Sequence, residues 1–212
     1  MDALDGDIRL RHRLVYFTDH PNKSSRMITE LDLDGLSVSI GRITGLLGRN
    51  GSGKSRLMKA AFASHRNLSY LPQSDFIPAS LRLKRLFDDF RVDYADFEKR
   101  FPEFQGWQHL KLKELSGGEA RFVETYLIIC MPAPFAMLDE PFTHLMPIQI
   151  ERITELLLEE KKRKGFLITD HLYHHVVGIA DSIYVLTAGK THGVKDPADI
   201  AALGYVAMPG GH

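Results

Sequence analysis

The chain reads as an α/β fold: a mostly parallel sheet with helices on both faces and a small helical lobe set into it. Three observations predict this. Short apolar runs alternate with stretches of helical period along most of the 212 residues, as buried strands joined by crossover helices do. The run Ile43 to Leu47 leads straight into Gly48-Arg49-Asn50-Gly51-Ser52-Gly53-Lys54-Ser55, a glycine-rich link between a strand and a helix. Phe135 to Leu138 is apolar without alternation and ends in Asp139-Glu140, as a strand covered on both faces would be.

Taken in order, Ile8 to Phe17 alternates apolar with basic residues and reads as a half-exposed strand, followed by a turn-rich loop from Thr18 to Ser25. Leu36 to Ile40 alternates again, Gly41 turns the chain, and Ile43 to Leu47 is a buried strand. A helix is expected from about Lys54 to Ser64, then a short strand from Leu68 to Leu71. Across 74–115 the character changes. Phe87, Phe90, Tyr94, Phe97, Phe101, Phe104 and Trp107 recur at helical spacings among charged residues, which predicts a helical sub-lobe with its own aromatic core. Helices follow at Gly117 to Cys130 and Ile148 to Lys164, and buried strands at Phe166 to Thr169 and Ile183 to Thr187.

Composition narrows the function classes. At 44% hydrophobic and 25% charged, the 212 residues fit one domain, 1–212, able to bury a core. Lys plus Arg and Asp plus Glu are each 27, so no net field draws the molecule to nucleic acid. The basic run Lys161 to Lys164 is expected to close the C-terminal turn of its helix before Gly165. The single cysteine, Cys130, excludes an internal disulfide and reads as a buried small hydrophobe. No window of 18 apolar residues would span a membrane, and Asp2, Asp5 and Asp7 do not suit a signal peptide.

Four motifs carry the chemistry. In Gly48 to Ser55 the glycines clear the backbone, so successive N–H groups can cradle phosphate at the positive end of a helix. Lys54 is expected to reach the β- and γ-phosphates of a nucleotide and the Ser55 hydroxyl to ligate magnesium. Asp139 would hold that magnesium through its water shell, and Glu140 would orient or deprotonate the attacking water. Gln73, closing the strand in Tyr70-Leu71-Pro72-Gln73, can touch the magnesium or the water, and His171 can hydrogen-bond the γ-phosphate. His171 and His175 also stand i, i+4 as metal ligands on a helix would, but no third ligand is evident. Ser116-Gly117-Gly118 opens a helix and is a second anion seat. One triphosphate does not easily fill both seats within one chain. Two chains placed head to tail would each clamp a nucleotide between Lys54 of one and Ser116 of the other.

With these residues the chain resembles the nucleotide-binding subunits of ABC transporters over nearly its whole length. Gly48, Asn50, Gly51, Ser52, Gly53, Lys54 and Ser55 stand in its Walker A motif, Gln73 in its Q-loop, and Leu115 to Glu119 in its signature. Phe135 to Glu140 matches Walker B and His171 the switch histidine. The resemblance implies a P-loop NTPase fold, ATP and Mg2+ as ligands, and Phe17 as the aromatic that stacks on adenine. It implies a dimer with a second copy or a paralogue beneath transmembrane permease subunits, at the cytoplasmic face of the cell membrane. Asp139-Glu140-Pro141-Phe142 and Ile168-Thr169-Asp170-His171 look most like the lipopolysaccharide-export type. Three departures stand out. The stretch from Arg56 to Tyr70 is short, so the usual antiparallel hairpin is expected to be missing or reduced. Phe122 and Leu127 replace two customary arginines. Met146 replaces the aspartate of the D-loop, where no carboxylate contact across the dimer can then form. That last departure keeps open a soluble ABC-type ATPase acting as a regulatory or remodelling switch.

Overall fold

A computed structural model describes residues 30–33, 35–65 and 67–195. The strand expected at Ile8 to Phe17, the loop after it and the adenine-stacking candidate Phe17 lie outside the described residues. The sheet has six strands, in the order β4 (Leu68–Leu71), β5 (Phe135–Asp139), β6 (Gly165–Thr169), β3 (Ile43–Leu47), β7 (Ser182–Thr187) and β8 (Lys190–Val194). All pairs are parallel except β7 with β8. Strands β3, β5 and β6 are buried at every position, which is why they read as unbroken apolar runs.

A separate antiparallel hairpin joins β1 (Glu30–Leu33) to β2 (Leu36–Ser39). The sequence reading took β2 but passed over β1, although Leu31-Asp32-Leu33 before Asp34-Gly35 carries the two-residue hairpin signal. Gly35 takes φ 87°, and its N–H donates to Asp32 Oδ1 at 2.9 Å. Strand β8 was also passed over. Its residues Lys190-Thr191-His192-Gly193-Val194 are mostly exposed and hold no alternating apolar face, so only the Ala188-Gly189 turn, with φ 49° and 74°, marks it. Only residues 65–67 separate helix α1 (Lys54–Ser64) from β4, too few for a hairpin.

From 74 to 115 come α2 (Leu83–Phe90), α3 (Tyr94–Arg100) and three short 3-10 turns. Asp93 caps α3 by accepting from Ala95 N at 2.8 Å. The aromatic residues read as this segment's own core also enclose residues of α4 (Gly117–Cys130). Phe97 lies 4.7 Å from Tyr126 between ring centroids, and Phe104 stacks on Phe122 at 5.6 Å. Phe122, standing where the family has an arginine, is thus fully buried in an aromatic cluster. One apolar core therefore runs from the sheet through α4 into the segment, fixing α4 against both.

The basic run requires a correction. Helix α5 is Pro147–Glu160, and residues 161–163 form a turn rather than its last helical turn. Lys164 does not serve that helix. It is buried, and Nζ donates to Ile129 O at 2.7 Å and Met131 O at 2.6 Å, closing the C-terminal end of α4. Burial pushes its ammonium down to about 8. A lysine titrates near 10.4 when unfolded. Between these values the unfolded chain holds more protons, so this group adds stability as pH rises from 8 towards 10. Lys164→Met should remove that rise. Urea unfolding of both proteins at pH 7.5 and 9.5 should show a gap between them that widens by on the order of 1 kcal/mol at the higher pH.

Candidate functional site

The glycine-rich loop leaves the carboxyl end of β3, at the middle of the sheet. Strands β4, β5 and β6 deliver Gln73, Asp139-Glu140 and His171 to the same edge, since Leu71 pairs with Leu138 and Asp139 with Thr169 in register. In an open α/β sheet this edge is where ligands bind. A cavity of 380 Å3 there is lined by Gly48 to Ser52 on one side and Val185 to Ala188 on the other.

The loop is built to bring backbone close. A Cβ on Gly48 would stand 2.6 Å from Ser52 Oγ and 2.8 Å from Leu186 O, so no larger residue fits. Gly51 and Gly53 take φ 79° and 103°, in the left-handed region. Ser52 Oγ is buried with no hydrogen-bond partner among the described residues, an unused donor inside the cradle. Helix α1 begins at Lys54, with no side chain capping its first N–H groups. Lys54 Nζ donates to Gly48 O at 2.6 Å and Arg49 O at 3.3 Å. Burial pulls its pKa down, while the nearby Glu140 and Asp139 carboxylates oppose the shift. The cradle, the free hydroxyl and the lysine fit a phosphate group.

Asp139 is buried at the end of β5. Ser55 and Tyr70 both hydrogen-bond its carboxylate, Tyr70 Oη donating to Oδ2 at 3.1 Å. Burial raises the Asp139 pKa and these two bonds hold it back. A hydroxyl and a carboxylate meeting at the loop form an oxygen donor set that suits magnesium.

Glu140 has φ 55°, a left-handed conformation that a non-glycine residue seldom adopts. Its N–H donates to Thr169 O at 2.7 Å. Its carboxylate Oε2 accepts from Gln73 Nε2 at 2.9 Å and Thr143 Oγ1 at 3.3 Å, with His171 Nδ1 at 3.7 Å. Gln73 and His171, expected to act on the water and the γ-phosphate, thus both approach the carboxylate oxygen of Glu140. Asp170 sets the next turn: Oδ2 accepts from Phe142 N at 3.0 Å and Oδ1 from Leu172 N at 2.9 Å. The metal alternative for the histidines loses its geometry. Helix α6 is Tyr173–Ile179, so His171 precedes it and does not share a helical face with His175.

Ser116 caps α4 in a reciprocal box. Its Oγ accepts from Glu119 N at 3.3 Å, and Glu119 Oε2 accepts from Ser116 N at 2.8 Å. Gly118 packs on the chain after β5, where a Cβ would meet His144 O at 2.9 Å. Met146 opens α5 and is 64% exposed, and Ile148 beside it is 52% exposed.

Arg121, Tyr70 and Asp170 were missed as site residues. Tyr70 stands three residues before Gln73, and Asp170 sits beside His171. Arg121 lies five residues beyond Ser116 on the signature helix, and burial of a guanidinium cannot be read from one sequence.

No family model matches the chain. Over 78% of its length and 83% of the relative's, it is 28% identical to the lipopolysaccharide export system ATP-binding protein LptB of Acidithiobacillus ferridurans. It is 26% identical over 203 residues, covering 79% and 85%, to the probable branched-chain amino acid transport ATP-binding protein LivF of Archaeoglobus fulgidus. Among solved structures, an ATP-binding subunit of an ABC transporter superimposes with a TM-score of 0.65 at 21% identity, over 79% of this chain and 85% of that one. The fold is that of an ABC-type P-loop ATPase, and the chain is similar over most of its length to ABC transporter ATP-binding proteins.

Proposed function

We propose that this chain, with that similarity as its premise, is the ATP-binding and ATP-hydrolysing subunit of an ABC transporter and works as a dimer around two ATP. The observation that carries this reading is Glu140, whose carboxylate stands among Gln73, Thr143 and His171 at the edge that also holds the Gly48–Ser55 loop. Backbone N–H groups of the loop and the α1 N-terminus hold the phosphates, and Lys54 Nζ exchanges the Gly48 and Arg49 carbonyls for β- and γ-phosphate oxygens. Ser55 and Asp139, with Gln73, would hold magnesium, which neutralises phosphate charge and orients the leaving group. Glu140 then aligns the attacking water and takes up its proton, and His171 donates to the γ-phosphate.

Ser116, Gly117 and Gly118 present the second anion seat to a nucleotide bound on the partner copy. Met146 and Ile148 are exposed and belong to the segment whose His144 and Gln149 lie against Gly118, which supports a contact between chains there, of apolar kind where a carboxylate is usual. No helix among the described residues is long and apolar enough to cross a membrane; membrane-spanning permease subunits would complete the transporter, and this subunit would sit against them at the cytoplasmic face.

Phosphate release from ATP by the purified chain tests the reading. Turnover is expected with magnesium and should fall to background when EDTA removes it. Magnesium-independent release, or none under any condition, would contradict it.

A further inference from the structure

We propose that Arg121 is a positioning residue that joins the anion-binding end of α4 to the two loops bearing Gln73 and Glu140, so that an event at Ser116 is transmitted to the catalytic carboxylate. This rests on the ATPase reading above. Arg121 is only 4% exposed. Its Nη1 donates to Pro72 O at 2.9 Å, the carbonyl just before Gln73. Its Nη2 donates to Asp139 O at 3.1 Å and to Glu140 O at 3.0 Å. Glu124, one turn along the helix and also buried, faces Nη1 at 3.5 Å.

Three features argue for positioning rather than bulk stability. Burying a charged group is costly, and an apolar residue of like size often stabilises as well or better. Nε of Arg121 has no partner among the described residues, so the fork is aimed at the two loops at the expense of its own full satisfaction. Third, the Glu140 carbonyl it fixes belongs to the residue with φ 55°. Thr169 O holds the N–H of that residue and Arg121 its carbonyl, so the left-handed conformation that aims the carboxylate is clamped at both ends. A planar guanidinium can serve both loops at once, whereas a lysine ammonium presents a single point of charge. Because Arg121 and Ser116 share one rigid helix, a shift of that helix moves the carbonyls and the seat together.

Arg121→Lys and Arg121→Gln test this, with ATP kinetics, affinity for a fluorescent ATP analogue, and thermal melting. Both variants should fold and bind the analogue within about threefold of the parent, since Arg121 does not line the phosphate loop. Their kcat should fall by roughly 10- to 100-fold, as misplacement of a catalytic group by about an ångström does, and Lys should not restore it. A folded variant with kcat within twofold of the parent would overturn the proposal, as would a change confined to KM. Failure of both variants to fold would also overturn it, since Arg121 would then be a residue of folding. A parent chain without turnover would overturn the ATPase reading and this one together; normal parent turnover with unaffected variants would overturn this one alone.

Discussion

Glu140→Gln should leave the chain folded and able to bind ATP while cutting phosphate release by roughly 100- to 10,000-fold, the range of a lost general base. The amide is the same size, and its oxygen can still accept from Gln73 and Thr143, which bond Glu140 Oε2 at 2.9 and 3.3 Å. The backbone clamp on residue 140 does not involve the side chain, so φ near 55° should persist. What is lost is the basicity that accepts the proton of water and the charge that orients it. Single-turnover assays with saturating ATP separate this from a binding defect. A variant that keeps more than about a tenth of parent turnover would place the base elsewhere.

Lys54→Ala should act one step earlier. The ammonium stands in the loop and, among the described residues, donates to the Gly48 and Arg49 carbonyls alone. It is half-buried, with the Asp139 and Glu140 carboxylates close enough to act on it. Without it, those carboxylates would repel a nucleotide phosphate with one cation fewer to offset them. One or two charge-assisted hydrogen bonds, about 1.5–3 kcal/mol each, are lost, so ATP affinity should weaken by roughly 100-fold or more. Calorimetric titration with Mg-ATP reads this directly. Melting temperature without nucleotide should change little, because the side chain is not in the core. Unchanged affinity would mean that phosphate is held elsewhere.

Much of the candidate site is legible in the sequence because its parts are local. Gly48 to Ser55 needs close backbone approach and left-handed φ within eight residues, and only glycine at Gly48, Gly51 and Gly53 supplies both. Buried parallel strands announce themselves as apolar runs, which placed β3, β5 and β6 and with them Asp139, Glu140 and His171. What escaped depends on distant partners. The role of Lys164 is set by carbonyls 33 and 35 residues away, so its charge run resembled a helix end. Arg121 is defined by carbonyls 18, 19 and 49 residues distant, and its neighbour Phe122 was the position that drew notice. Strand β8 escaped because an exposed edge strand needs no apolar pattern, and its polar sequence reads as loop.

The central claim is that two copies close around ATP, and the mass of the Glu140→Gln chain in solution tests it most directly. Light scattering behind size-exclusion chromatography, with and without Mg-ATP, should show the 24.0 kDa monomer without nucleotide and about twice that mass with it. Adding Ser116→Arg to the same chain should return it to the monomer with its own Lys54 site still loaded. A Glu140→Gln chain that stays monomeric while saturated with ATP, beside a parent chain that releases no phosphate, would contradict the account.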